Sequence, residues 1–142
     1  LYDQKDYDKA LGEFNKSIQL NNGYAIAWNN RGLAFYRKKM AAKAIPEFTR
    51  ALQLDPNYAN AYNNRGLALY DTKAYDKAGA DFTKAIQLNP KLAEAYNNRA
   101  YAYFQKKVYD KAGEDAARAQ EMKYTVGKEL LEDLRKAPGK KK

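Results

Sequence analysis

Side chains able to do covalent or redox chemistry are nearly absent from this chain, and the polar groups that recur most regularly are carboxamides. The 142 residues include no cysteine and no histidine, which excludes disulfides, thiolate nucleophiles, imidazole bases and most zinc sites within the chain. Asp3, Asp6 and Asp8 lack the spacing of a calcium loop, and no Glu follows at the required offset. Each Gly stands singly, so no glycine-rich loop is available to cradle a phosphate. No catalysis, cofactor or metal is therefore expected. What remains is Asn29-Asn30, Asn63-Asn64 and Asn97-Asn98. Asn is a mediocre helix former, rarely placed in a helix interior without a reason. Its amide carries an acceptor oxygen and an NH2 donor, the complement of a peptide unit. Tandem pairs at constant spacing can hydrogen-bond a polypeptide backbone, or one another.

The elements that must position these amides follow from the spacing itself. Trp28, Tyr62 and Tyr96 lie 34 residues apart, as do Ala10, Ala44, Ala78 and Ala112, the trio Phe14, Phe48 and Phe82, and the pair Pro56 and Pro90. Such a period marks stacked supersecondary units, each too small to bury its own apolar face. Within one unit, Tyr62, Leu69 and Tyr70 lie on one segment and Tyr75, Ala78, Phe82, Ala85, Ile86 and Leu88 on the next, at helical steps. Asp71-Thr72-Lys73 supplies a turn and Asn89-Pro90 a stop. Each unit is thus predicted to be two antiparallel helices. The chain divides into a partial unit (1–24), three full ones (25–58, 59–92, 93–126), a capping helix (127–136) and a disordered basic tail (137–142). In the last unit Ala116 and Gln120 replace the Phe and Ile or Leu of the others, leaving room for Val126, Leu130, Leu131 and Leu134, whose far side is charged. Pro46 is expected to bend or shorten the start of its helix.

Trp28…Gly32…Phe35…Ala44…Phe48…Ala51…Pro56 resembles a tetratricopeptide repeat, as does Tyr62…Gly66…Leu69…Ala78…Phe82…Ala85…Pro90. The resemblance covers residues 1–126, in bacterial-type repeats with an Asn-Asn-Arg-Gly motif. It implies an all-α, right-handed superhelical solenoid of antiparallel helix pairs whose first helices line a concave groove. One departure recurs: a Leu usual in the family is here Arg31, Arg65 and Arg99. Buried stems with heads paired between repeats are the expected role of these arginines.

The resemblance implies a non-catalytic scaffold for a protein or peptide segment. The second Asn column (Asn30, Asn64, Asn98) is expected to face the groove. It is similar to the ladder in the superhelix of the O-linked N-acetylglucosamine transferase, which implies capture of a peptide backbone. The first column (Asn63 and Asn97, with Asn29) is expected either to join this or to bond neighbouring repeats. Leu33, Leu67 and Tyr101, then Tyr36, Tyr70 and Phe104, form an apolar and aromatic stripe beside them, with Arg37 at its edge and Tyr2 and Asp3 continuing the columns. Aromatic residues are frequent anchors of recognition surfaces; packing on the next repeat is the alternative. Some family members clamp chaperone C-termini with basic residues. Here Asn64 matches that clamp, whereas Glu94 opposes a carboxylate, so this ligand is not expected.

Charge narrows the partners little. The net charge is +9, from 26 Lys and Arg against 17 Asp and Glu. Lys9, Lys43, Lys77 and Lys111 precede Glu13, Glu47, Asp81 and Asp115 by four residues, an arrangement expected to form a self-compensated outer ladder. Nucleic acid, through lysines at the turns, is the weakest alternative, and a scaffold part of a larger enzyme such as a glycosyltransferase is a second. No apolar run approaches the ~20 residues of a membrane span. The chain opens inside a repeat, so upstream sequence, including any signal peptide, is an expectation. Leu11, Phe14 and Ile18 would then be partly bare, inviting homo-oligomerisation. Cysteine content fits any compartment, the cytoplasm being the default.

Overall fold

A computed structural model of the chain describes residues 4–138. Its eight helices are α1 (Gln4–Leu20), α2 (Ala25–Arg37), α3 (Ala41–Leu54), α4 (Ala59–Asp71), α5 (Tyr75–Leu88), α6 (Ala93–Gln105), α7 (Tyr109–Glu121) and α8 (Lys128–Lys136). Helices α2, α4 and α6 are the first of each pair; α3, α5 and α7 are the second, and α1 is a second-type helix. Each packs mainly on its chain neighbours, with a lighter seam joining α2 to α4 and α4 to α6. The result is an all-α helical repeat solenoid. Tyr2, Asp3 and most of the expected C-terminal tail lie outside the described residues.

Each turn is built locally. The first helix of every pair, and α7 among the second helices, ends in a double backbone closure: after α2, Lys39 N–H bonds Tyr36 O at 2.9 Å and Met40 N–H bonds Phe35 O at 3.0 Å, with equivalents after α4, α6 and α7. This C-terminal closure places one residue in the left-handed region, normally a glycine. Here the residue is Lys39, Lys73, Lys107 or Lys123, each at φ 62°. Between repeats, the Asn21, Asp55 and Asn89 side chains each accept the N–H of the second residue onward, at 3.0–3.1 Å, starting the turn into the next pair.

The pairs lock by a ring set against a glycine. Phe48 and Phe82 are fully buried, and a Cβ on Gly32 or Gly66 would come within 2.7 Å or 2.5 Å of their rings. The last pair makes the complementary exchange, with Ala100 for the glycine and Ala116 for the ring, and Leu130 and Leu134 of α8 complete that cluster together with Val126. Pro46 does not shorten its helix: α3 and α5 both have 14 residues. Pro46 is exposed, and the missing N–H removes a single bond from an otherwise intact ladder.

Candidate functional site

The two Asn columns turn out to be one structure. Asn64 Nδ2 donates to Asn29 Oδ1 at 3.0 Å, and Asn98 Nδ2 donates to Asn63 Oδ1 at 3.0 Å. The second Asn of each repeat therefore bonds the first Asn of the repeat before it. Asn29, Asn63 and Asn97 are buried, as is Asn98, while Asn30 and Asn64 are half-buried. Within a pair, Asn29 Nδ2 reaches Asn30 Oδ1 and Asn97 Nδ2 reaches Asn98 Oδ1, each at 3.4 Å. Two turns further along the same seam, the Tyr36 hydroxyl donates to Asp71 and the Gln105 amide bonds the Tyr70 hydroxyl. The first helices are thus stitched twice, both times at an offset of 35 residues. Burial, together with the Asp71 charge and hydrogen bond, pushes the Tyr36 hydroxyl up to about 12. Burial likewise raises Tyr58, Tyr70 and Tyr124.

The stitching leaves part of the amide complement unspent. Asn64 gives one of its two N–H groups to Asn29, and its Oδ1 has no protein donor among the described residues. A cavity of about 510 Å³ brings Asn30, Asn64, Leu33, Leu67, Tyr36 and Arg37 together, and Asn63 and Glu94 line it as well. A second cavity, of about 280 Å³, opens between α4 and α6 with Leu67, Tyr70, Asn98 and Tyr101 on its walls. Leu67 belongs to both, so the two are consecutive stretches of one surface. Asn97 and Phe104 line neither. Phe104 packs against the α6–α8 cluster with its ring 5.4 Å from Tyr109. The Tyr101 hydroxyl lies so close to Gly127 that a Cβ there would sit 2.3 Å from it, so the C-terminal segment closes one end of the surface.

The arginine column lies elsewhere and is fully engaged. Arg65 pairs with Asp81 through two bonds of 2.7 and 2.8 Å and reaches Thr49 Oγ1 of the preceding repeat at 3.3 Å. Arg99 repeats this with Asp115 (2.7 and 2.8 Å) and Thr83 (3.1 Å). Arg31 does so with Glu47 by one bond of 2.8 Å and with Asn15 at 2.9 Å. The guanidinium groups lie within cation–π range of their own repeat's aromatic: Arg31 is 4.7 Å from the Trp28 ring centre, Arg65 5.7 Å from that of Tyr62 and Arg99 5.8 Å from that of Tyr96. Hydrogen bonding to Asp81 and Asp115 raises the pKa of Arg65 and Arg99 further. This corrects the expected outer ladder: Glu47, Asp81 and Asp115 turn inward to arginine instead of pairing with Lys43, Lys77 and Lys111. A bidentate fork in a part-buried site outcompetes a flexible lysine four residues away on exposed helix.

These two stitched seams, a glycine under each ring and three pairs in register are accompanied by direct matches to family models. Models described as tetratricopeptide repeat match residues 25–58, 59–92 and 82–121, and one described as TPR repeat matches 1–39. The chain belongs to the tetratricopeptide repeat family. Solved structures agree. MamA is 28% identical at a TM-score of 0.78, over 83% of this chain and 69% of its own. The Arabidopsis OM64 TPR domain is 28% identical at 0.76, over 80% and 95%. The first TPR of Spaghetti (RPAP3), bound to the HSP90 peptide SRMEEVD, is 25% identical at 0.74, over 80% and 90%. No curated protein is a significant match to the chain. Among the described residues, no helix is long and apolar enough to cross a membrane.

Proposed function

We propose that this tetratricopeptide module is a non-catalytic interaction scaffold that holds an extended protein segment along the first-helix surface. The observation that carries this reading is the cavity where Asn30 and Asn64 stand beside Leu33, Leu67, Tyr36 and Arg37. It offers a polar strip able to pair with a peptide backbone and an apolar strip able to take side chains. Each amide contact would contribute only ~0.5–1.5 kcal/mol net, so affinity would come from several together with burial against Leu67, Tyr70 and Tyr101. Asn63 and Asn97 serve by fixing the amides that face the ligand, as Asn63 fixes Asn98, and Phe104 by supporting Tyr101 within the same cluster.

The surface is polar in a directional sense. Arg37 and Glu94 both line the cavity, so the segment should carry an acidic side chain toward Arg37 and a neutral or basic one toward Glu94. That pattern differs from the acidic peptide held by the RPAP3 domain. Selection of a random peptide library on the immobilised chain tests the reading. Selected peptides should be extended and apolar with one acid, and Arg37→Glu should weaken them about tenfold, a change of ~1.4 kcal/mol, at unchanged melting temperature. Binding that survives both Arg37→Glu and Leu67→Ser would place the ligand elsewhere.

A further inference from the structure

The two edges of the solenoid carry different charge. The turns within the helix pairs (residues 37–43, 71–77 and 105–111) hold eight lysines and Arg37 against three aspartates. The turns at the other edge, at the equivalent positions 53–59, 87–93 and 121–127, hold Lys91 and Lys123 against Asp55 and Glu121. One edge therefore carries a net +6 and the other none, so 21 residues supply two-thirds of the chain's +9.

Two features of the fold expose this charge. Lys39, Lys73 and Lys107 hold the left-handed position of their turns, each at φ 62°, where glycine is the ordinary residue. Lysine is strained there and glycine is not; a strained residue kept at three successive turns points to a use for its side chain. Lys43, Lys77 and Lys111 follow by four residues, and the acids at helical spacing from them are turned inward to Arg31, Arg65 and Arg99. All six lysines are exposed. None enters an ion pair among the described residues, whereas Lys38 and Lys106 are held by Asp8 and Asp76.

We propose that this lysine edge docks the module on an anionic phospholipid surface, leaving the first-helix cavity free to hold its segment. Lys39, Lys73 and Lys107 line neither stretch of that cavity, so a flat partner reaches all three without entering a groove. Headgroups move laterally to meet fixed ammonium groups, and the attraction accumulates with each lysine. The edge is poorly suited to nucleic acid. Its aromatics, Tyr75 and Tyr109, are half-buried, with rings packed 5.2 Å from Tyr70 and 5.4 Å from Phe104, so no ring is presented for base stacking. Its unpaired lysines are point charges, not the guanidinium forks that grip phosphodiesters through two bonds.

The test is co-sedimentation of the chain with phosphatidylcholine vesicles, with and without about one-third phosphatidylserine, at ~0.1 M salt. Only the anionic vesicles should retain it, and ~0.5 M salt should release it. Lys39→Gly, Lys73→Gly and Lys107→Gly together should lower the partition onto anionic vesicles about a hundredfold. The melting temperature of this variant should equal or exceed that of the wild type, because glycine relieves the left-handed strain. Lost retention is then not lost folding. Lys84→Gln, Lys91→Gln and Lys123→Gln together remove the same charge elsewhere, and should weaken retention less than about threefold. An equal loss in this second variant, or retention on the neutral vesicles, overturns the proposal. So does retention on an oligonucleotide or on poly-glutamate but not on anionic vesicles, which would make nucleic acid or an acidic protein the partner.

Discussion

At the C-terminal end Ala116 stands where the inner second helices carry Phe48 and Phe82, and Leu130 and Leu134 of α8 occupy the space, each 2% exposed. In α1 Phe14 keeps the ring, but it is half-buried and lines a groove between α1 and α2. The closed end has exchanged large for small in its second helix and brought a helix whose outward residues (Glu129, Glu132, Asp133, Arg135) are exposed and charged. The N-terminal side keeps the ring, the acid and the Asn of an internal repeat. The difference teaches that the ring column records what each second helix expects to meet: a repeat helix with glycine where the ring is large, an apolar cap where it is small. Terminal repeats of solenoids depart from the consensus for this reason.

The contrast can be broken by a graded truncation. Phe82→Ala should cost about 3–5 kcal/mol and Leu130→Ala at the closed end about 2–4 kcal/mol, by the scale for buried large-to-small changes. Phe14→Ala should cost no more than ~1 kcal/mol, because less of the ring leaves water on folding. Urea midpoints measure the series. A Phe14→Ala loss equal to that of Phe82→Ala would mean that the α1 face is filled in solution.

The arginine column sharpens the same comparison. Arg65→Leu leaves Asp81 buried and unpaired, and should cost about 2–3 kcal/mol. Arg31→Leu, on the N-terminal side, loses a single bond to Glu47 and one to exposed Asn15, and should cost about half as much, again in denaturant. Next come the amides. Asn63→Ala removes the acceptor of Asn98 and should cost about 1–2 kcal/mol. Asn97 lies at the closed end, and its buried Oδ1 has no partner among the described residues. Asn97→Ala should therefore cost less, within about 0.5 kcal/mol of the wild type, since it also removes an unsatisfied group.

The smallest effect is one of pH. The folded Tyr36 hydroxyl lies at about 12 against an ordinary 10.0, so between these values the folded chain holds a proton that the unfolded chain has lost. Stability is fully present below pH 10 and falls as pH rises through about 12. Tyr36→Phe should flatten part of that alkaline decline in melting temperature, the remainder belonging to Tyr58, Tyr70 and Tyr124.

Much of this was legible in the chain. The period of the aromatic and alanine columns gave the helix pairs, and the exchange of Phe for Ala116 marked the closed end. Four things were not. Columns follow from spacing, but the offset between adjacent first helices does not, so Asn64 pairing with Asn29 could not be read from a period of 34. The acids of the second helices had two basic candidates each, and only the packed geometry brings the arginine fork within reach. The left-handed turn residue is Lys39, Lys73, Lys107 or Lys123, where glycine would have signalled it; the backbone closure holds lysine there against its preference. For the surface lined by Leu33, Leu67 and Tyr36, the residue types were readable, while the share of each amide already spent on its neighbour was not.

The offset stitching bears on how such a chain changes length. Thr49 and Thr83 present the same hydroxyl to the arginine that follows, and Asn29 and Asn63 the same oxygen. Excising residues 59–92 would place Arg99 over Thr49 and Asn98 beside Asn29, re-forming the arginine and amide seams with no new residue, while Gln105 would take the place of Asp71 opposite Tyr36. Unequal recombination between neighbouring copies can therefore add or remove a whole unit while leaving the arginine and amide junctions chemically unchanged, so the surface's length is free to vary under selection.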